Sequence, residues 1–252
     1  MKSRFESKWA NRAAQAGITL AALGLFFAMR PDIYGSATMR IHADYQRKVV
    51  TPKIISQYMR ETARPKLQIG AGASNAAGWL NTDIEPTASQ AFLDITEPLP
   101  FGDNSVYAIF GEHVIEHVTY EQALYFLKES HRVLAPGGKV RMVTPNLLKF
   151  AELLREPNPE YFARKLDFHF WPADTPDPAA FILNNEMRSF GHQFVYTPAM
   201  LRASFEKAGF TQIKQWAPGE TDDPDLKDME IRPRGDWKDV NAFEAMAFEA
   251  TR

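Results

Sequence analysis

The sequence predicts an α/β fold built on a doubly wound, mostly parallel sheet, and three observations carry that prediction. From Leu67 onward, short apolar runs alternate with helical or loop segments. The first run ends in Gly70-Ala71-Gly72, a turn in which the backbone can reverse sharply and approach a ligand with no Cβ in the way. Carboxylates, Asp83 and Asp94, stand at the ends of the next two runs. Ligands on such sheets settle beyond the carboxyl ends of the strands, so Gly70, Asp83, Asp94 and Glu112 define one functional edge.

The chain has 252 residues and is 45% hydrophobic, which suits one core with extensions better than two domains. Ala13 to Met29 is nearly apolar and is bounded by Arg12 and Arg30. A membrane span wants about 20 apolar residues, so the favoured reading is a helix packed on protein or lying at an interface, with a membrane anchor as the alternative. The long positive stretch before it and the lack of a small-x-small cleavage site disfavour a signal peptide. Residues 36 to 62 read as a polar helix with apolar residues at helical spacing, closed by Pro65. The expected organisation is an N-terminal helical extension over 1–62 and a catalytic domain over 63–252.

Within that domain, strands are expected near 66–70, 80–84, 91–94, 106–110 and 138–144, with a helix over 120–134 closed by Pro136-Gly137-Gly138. Gly72 to Asp83 is too short for a full crossover helix, and a single helical turn or an irregular loop is expected there. Residues from about 150 to 193 contain Phe168-His169-Phe170-Trp171-Pro172 and several further prolines. They read as an aromatic-rich lid that selects the substrate, or equally as a hydrophobic brace. Thr197 caps a helix with Pro198 in its first turn and Gly209 at its end. A strand near 211–216 and a last strand over Ala242–Thr251 complete seven strands with an antiparallel final hairpin.

Charge excludes little but points away from nucleic acid. Lys and Arg total 29 against 31 Asp and Glu, a net charge of −2, with no long basic block. The absence of cysteine removes disulfides and thiolate metal sites.

The glycine turn followed by an acid serves either a dinucleotide or an adenosyl sulfonium. A dinucleotide fingerprint needs a third glycine at position 75, where this chain has Asn75, so a ligand without phosphates fits better. Further motifs follow in order: Asp94-Ile-Thr-Glu-Pro-Leu-Pro-Phe, then Gly-Glu-His-Val-Ile-Glu-His-Val, then Glu129-Ser-His-Arg-Val-Leu-Ala-Pro-Gly-Gly-Lys-Val-Arg-Met-Val-Thr-Pro-Asn146. This series resembles the class I S-adenosylmethionine-dependent methyltransferases, which have a Rossmann-like sheet. Within them it is similar to a bacterial branch of small, type 11-like enzymes often associated with surface-glycan synthesis. The likeness covers residues 65 to 250.

The resemblance implies that Gly70 and Gly72 face the methionine part of S-adenosylmethionine and that Asp83 holds the ribose. It further implies that the Asp94 carboxylate and the Ile95 N–H read the adenine. Two positions depart from the pattern: Gln68 replaces an acid two residues before the first glycine, and Ser74 replaces the third small residue of the turn. The expected activity is methyl transfer to a small-molecule or glycan acceptor, at oxygen. Because the cofactor is cytosolic, a cytoplasmic location is expected, with the 13–29 segment as a contact to membrane or protein. The rival readings are a catalytically idle cofactor-binding or scaffold protein of the same fold, and a nicotinamide-dependent oxidoreductase.

A hydroxyl acceptor needs a base, and the candidates are His113 and His192. His113, Glu116 and His117 have i, i+3, i+4 spacing and share a face on a helical turn, while His192 follows the lid. The set is similar to one that binds a divalent metal in plant small-RNA 2′-O-methyltransferases, with His113 standing where those enzymes carry Glu. An acidic version resembles the ubiquinone-pathway O-methyltransferases. The same motif is widespread in metal-free relatives, and a metal-free site is the expectation. Tyr161 and Lys165 match the Tyr-x-x-x-Lys spacing of short-chain dehydrogenases, a spacing that arises easily by chance.

Overall fold

The computed structural model describes residues 44–169, 171–230 and 238–252. The apolar 13–29 segment lies outside the described residues. By its internal contacts the chain divides into Met1–Val50 and Thr51–Arg252. Within the described part of the first unit, Gln46–Val50 form a π-helical turn.

The second unit opens with α1 (Thr51–Glu61), which the sequence reading placed in the N-terminal extension. This helix packs on the sheet. Ile55 enters the main core, and Tyr58 accepts from the Lys66 N–H at 3.0 Å and donates to the Gly78 carbonyl at 3.0 Å. Strands β1 (Lys66–Ile69), β2 (Leu80–Asp83), β3 (Ala91–Phe92) and β4 (Val106–Glu112) follow. Next come α2 (Tyr120–Val133), β5 (Leu134–Pro145), α3 (Leu147–Glu152), α4 (Pro159–Phe168) and α5 (Pro178–Arg188). The chain closes with α6 (Pro198–Lys207), β6 (Thr211–Trp216), α7 (Lys238–Glu244) and β7 (Ala245–Thr251).

The seven strands form one sheet in the order β3-β2-β1-β4-β5-β7-β6. Strands β1 to β5 pair in parallel, whereas β7 runs antiparallel to both β5 and β6. This is the doubly wound, Rossmann-like sheet with the antiparallel last hairpin that the sequence predicts. Its order reverses between β1 and β4, and that switch point is where a parallel sheet leaves a crevice for a ligand.

Helix α2 shows how the local sequence builds these layers. Thr119 and Gln122 form a reciprocal capping box, and Ala123, Phe126, Leu127, Ser130 and Val133 fall on one buried stripe. Fully burying a residue such as Phe126 or Leu127 contributes about 1.5–3 kcal/mol. The helix stops at Val133, earlier than its glycines suggest. Pro136, Gly137 and Gly138 lie inside β5, where the pairing with β4 slips from Val106↔Leu134 to Ala108↔Lys139. A Cβ on Gly138 would sit 2.8 Å from the Ala135 carbonyl oxygen and 3.1 Å from that of Tyr107, so this glycine serves a bulge rather than a helix cap. Likewise Lys238–Glu244 is helical, and the last strand is confined to Ala245–Thr251. Residues 147–188 hold α3, α4 and α5, whose Phe150, Leu153, Tyr161, Phe162, Ala179 and Ile182 form a small core with Val240 of α7.

Candidate functional site

The parallel register sets the ends of β1 and β4 side by side, with Ile69 opposite Gly111, and places Glu112 opposite Val143 of β5. Everything immediately beyond these residues shares one edge. Gly70 turns at φ +61°, and a Cβ there would collide with the Val114 side chain. Gly72 also has positive φ, +54°, but no heavy atom lies within 4 Å of where its Cβ would be. The two glycines therefore differ: Gly70 is needed for packing against Val114, and Gly72 leaves open space.

Asp83 ends β2 and steadies this turn. Its Oδ2 accepts from the Gly72 N–H at 2.8 Å and its Oδ1 accepts from the Glu85 N–H at 2.9 Å. A carboxylate has about four lone-pair sites, so roughly two remain for an outside donor pair. Gln68, in the position where an acid was expected, is buried and accepts from the Ala76 N–H at 3.2 Å. Asn81 accepts from the same N–H at 2.9 Å. These contacts hold the irregular loop that replaces a crossover helix between β1 and β2. Ser74 closes a backbone turn onto the Ala71 carbonyl at 2.9 Å.

Asp94 lies past β3, and its Oδ1 accepts from both the N–H and the hydroxyl of Thr96, at 2.8 and 2.7 Å. Ile95 beside it has a buried side chain. The strand expected to reach residue 94 stops at Phe92, so both residues sit in the connection leaving the sheet edge.

Beyond β4 the chain makes a tight turn. His113 adopts φ +52°, and Ile115–His117 form one 3₁₀ turn. This shape brings the His113 Nδ1 within 2.9 Å of Glu116 Oε1, an ion-pair approach not aligned as a hydrogen bond. Glu116 is fully buried. Its Oε2 accepts from the Thr144 hydroxyl at 3.0 Å. Burial pushes the Glu116 carboxyl up, and the adjacent His113 more than offsets this, leaving it below the ordinary carboxylate value.

The segment after the lid is stitched onto this turn. The Gln193 and Phe194 N–H groups donate to the Glu116 carbonyl at 2.8 and 3.1 Å, and Gln193 Nε2 donates to the His117 carbonyl at 2.8 Å. His192 is thereby set against His117, ring centroids 5.0 Å apart, edge to face. Burial lowers the His117 pKa, with Glu116 opposing and His192 reinforcing the shift, which favours the neutral imidazole. Glu116, His117 and His192 each place one ligand-type atom within 4.8 Å of the others. His113 is not part of that convergence, because its ring turns to Glu116 and its Nε2 is buried without a hydrogen-bond partner among the described residues. Sequence reasoning missed Val114, Thr144 and Gln193. Gln193 had a visible signal in its place next to His192, whereas Val114 and Thr144 read as ordinary core residues.

Tyr161 and Lys165 belong elsewhere. Glu244 Oε2 accepts from the Tyr161 hydroxyl at 2.9 Å and from Lys165 Nζ at 2.6 Å, and Lys165 also pairs with Glu186 at 2.7 Å. Burial, reinforced by Glu244, pushes the Tyr161 phenol far up, the reverse of what a proton-donating dehydrogenase tyrosine needs.

Residues 40–142 match the family model described as Methyltransferase domain. Over this stretch the chain is similar to that family. The cofactor of this domain family is S-adenosylmethionine. No curated protein matches the sequence. Solved structures similar to this chain include an S-adenosylmethionine-dependent methyltransferase from Mesorhizobium loti, with 14% identity, a TM-score of 0.46, and coverage of 83% of this chain and 98% of that one. An Archaeoglobus fulgidus S-adenosylmethionine-dependent methyltransferase has 15% identity and a TM-score of 0.44, covering 82% of this chain and 94% of its own. Haemonchus contortus phosphoethanolamine N-methyltransferase 2, in complex with S-adenosyl-L-methionine, has 14% identity and a TM-score of 0.43, covering 80% of this chain and 52% of its own. Among the described residues, no helix is long and apolar enough to cross a membrane.

Proposed function

We propose that this protein transfers the methyl group of S-adenosylmethionine to an oxygen of a small-molecule or glycan acceptor. The observation that carries the reading is the seating of Val114 on Gly70, because it joins the glycine turn to the histidine-bearing turn beyond β4. In this reading the open space at Gly72 takes the methionine end of the cofactor. Asp83 uses its remaining lone pairs on the ribose hydroxyls, and Asp94 with the Ile95 N–H reads the adenine. The acceptor hydroxyl lies at the His113–Glu116–His117–His192 cluster, with His113 and His192 as the notable candidates for activating it.

The chemistry asks little of the protein. The acceptor oxygen forms a bond to the methyl carbon, the carbon–sulfur bond breaks, and the sulfonium leaves as a neutral thioether while the hydroxyl proton passes to the site. Alignment and exclusion of water supply most of the acceleration. Because S-adenosylmethionine is made in the cytosol, a cytoplasmic protein follows, with residues 13–29 as its contact to a membrane or to another protein.

Two rivals are weakened by particular residues. Gln68 still anchors the turn through Ala76, so its departure from the acidic pattern, one of the features behind the idle-protein reading, does not dismantle the cradle. Tyr161 and Lys165 are tied to Glu244, which weakens the oxidoreductase reading. Calorimetry with S-adenosylmethionine and S-adenosylhomocysteine, followed by labelling of a fractionated host extract with methyl-labelled cofactor, tests the proposal. Binding followed by label transfer supports it. No binding of either compound overturns it, and binding with no label transferred to any fraction favours the idle protein.

A further inference from the structure

We propose that the groove where β5 and β6 end and β7 begins is an anchor for an organic carboxylate, held by Asn146, Lys149 and Trp216. Its use as the anchor of the methyl acceptor rests on the methyl-transfer reading, whereas carboxylate binding there does not.

The topology puts the groove on the functional edge. Strands β5 and β6 both run antiparallel to β7, so they finish at Pro145 and Trp216 on the edge where β7 begins at Ala245. Among these ends and the last turn of α7 lies an open space of about 430 Å³, a volume that suits a small molecule. Asn146 stands two residues beyond Thr144, whose hydroxyl donates to Glu116, so the groove starts roughly 7 Å along the chain from the histidine-bearing turn. In the strand order it lies on the far side of that turn from Gly70.

The residues lining this space carry donors with nothing to donate to. Asn146 is 7% exposed, and its Oδ1 accepts from the Leu148 N–H at 3.1 Å as the cap of α3. A backbone N–H only donates, so the oxygen is the capping atom and the amide nitrogen is left without a partner among the described residues. The backbone around it is fixed as well: the Asn146 N–H donates to the Glu244 carbonyl at 2.7 Å, and the Leu147 N–H to the Tyr196 carbonyl at 2.9 Å. Trp216 lines the same space, and its buried indole N–H also has no hydrogen-bond partner among the described residues. A buried indole N–H usually finds one, and leaving it unpaired is costly.

Charge and hydrogen-bonding capacity then choose the ligand. Lys149 is the one ionisable side chain among the described residues that line the groove. Its Nζ lies 5.9 Å from the centre of the Phe243 ring and 2.9 Å from Glu152. The pair with Glu152 is exposed and worth little, so it yields to a better partner. An indole N–H and an ammonium can only donate, and the free half of the Asn146 amide does the same. A group that only accepts and carries one negative charge matches all three, and that group is a carboxylate. A phosphate monoester brings more charge than a single cation offsets. A sugar hydroxyl carries a proton that none of the three can accept. Phe243, Ala245 and Met246 supply an apolar wall for the carbon body of the ligand. An acceptor anchored here reaches back over the end of β5 toward His113, which orients its hydroxyl for in-line attack.

The test uses isotope-labelled full-length protein with phenylacetate as the probe, at constant ionic strength, read by two-dimensional proton–nitrogen NMR. The Trp216 indole signal, assigned by its loss in Trp216→Phe, should shift saturably as phenylacetate is added. Phenylacetamide, phenyl phosphate and methyl glucoside should each bind at least about tenfold more weakly. Lys149→Gln and Asn146→Asp should each weaken phenylacetate by at least about tenfold. Asn146→Asp keeps an oxygen to cap α3 and replaces only the donor, and circular dichroism checks its fold. With methyl-labelled cofactor and a host extract, the same variant should lose label transfer while its affinity for S-adenosylhomocysteine is unchanged. The absence of a saturable shift, binding indifferent to both variants, or binding of the amide, phosphate or glucoside as tight as that of phenylacetate overturns the anchor. Calorimetry on the wild type separates the two readings. Failure to bind S-adenosylhomocysteine overturns methyl transfer and not the carboxylate site, whereas cofactor binding without a phenylacetate shift overturns the carboxylate site alone.

Discussion

The Gly72 N–H donates to Asp83 Oδ2 at 2.8 Å, tying the tip of the glycine turn to the end of β2. The same carboxylate shapes the turn and, in the proposed function, receives the ribose, so removing it should act on two properties at once. Loss of a hydrogen bond to a charged group costs about 1.5–3 kcal/mol, or roughly ten- to a hundredfold in affinity. Asp83→Ala should weaken S-adenosylhomocysteine by that factor in calorimetry, and Asp83→Asn by less because one oxygen acceptor remains. Unchanged affinity in Asp83→Ala would remove this residue from the cofactor site.

The two glycines of the turn should respond differently to alanine. At Gly70 the new methyl group meets Val114, so left-handed strain of about 1–2 kcal/mol is joined by overpacking of about 1–3 kcal/mol. At Gly72 only the strain applies, since the space beside it is open. Urea unfolding should show Gly70→Ala as the less stable variant, while Gly72→Ala loses cofactor affinity out of proportion to its stability. The opposite ranking would mean that the turn is organised differently.

Periodic apolar runs made the sheet legible in the sequence, down to the antiparallel last hairpin and the missing crossover helix. The strand at 211–216 matches residue for residue, because Gly209 ends the helix before it and Pro218-Gly219 follow it. Errors arose where glycine has two meanings. Gly137 and Gly138 read as a helix cap, yet β4 runs so close to Gly138 that a bulge needs them, and no local pattern reports a neighbouring strand. The site was legible as residue types but not as a division of labour. Spacing put His113 with Glu116 and His117, but the left-handed backbone at His113 turns that ring onto Glu116 and leaves His117 to face His192.

Acidification gives an independent check on the buried charges under the last hairpin. Arg141 donates from Nε to Glu230 Oε1 at 2.7 Å and from Nη1 to Glu249 Oε1 at 2.7 Å. Burial raises the Glu230 pKa above its usual value of 4.5, and Arg141 offsets this only in part. A carboxyl raised in the folded state contributes stability that is complete below the unfolded value and is lost as pH rises through the folded value. The unfolding free energy of the wild type relative to Glu230→Gln should therefore increase as pH is lowered from neutral toward 4.5. Urea titrations at several pH values would read this, and a difference that is flat or falls on acidification would contradict the assignment.

The lid supplies the last prediction, because Lys165 is a single cation between two buried carboxylates. Its Nζ lies 2.7 Å from Glu186 and 2.6 Å from Glu244, and all three side chains are at most 5% exposed. Removing one member of a buried ion pair costs about 3–5 kcal/mol, since the remaining charge keeps its desolvation penalty. Lys165→Met should therefore loosen α4 and α5, seen as faster proteolysis between residues 155 and 193 and a lower melting temperature. Adding Glu244→Gln should recover part of that loss, because one of the stranded charges disappears. Tyr161→Phe removes only a hydroxyl that donates to Glu244, a change of about 1 kcal/mol. If Tyr161 and Lys165 were instead a proton-donating pair, Tyr161→Phe would abolish a nicotinamide-dependent turnover that the wild type displays. Detecting that turnover would reassign the lid from a brace to a catalytic element.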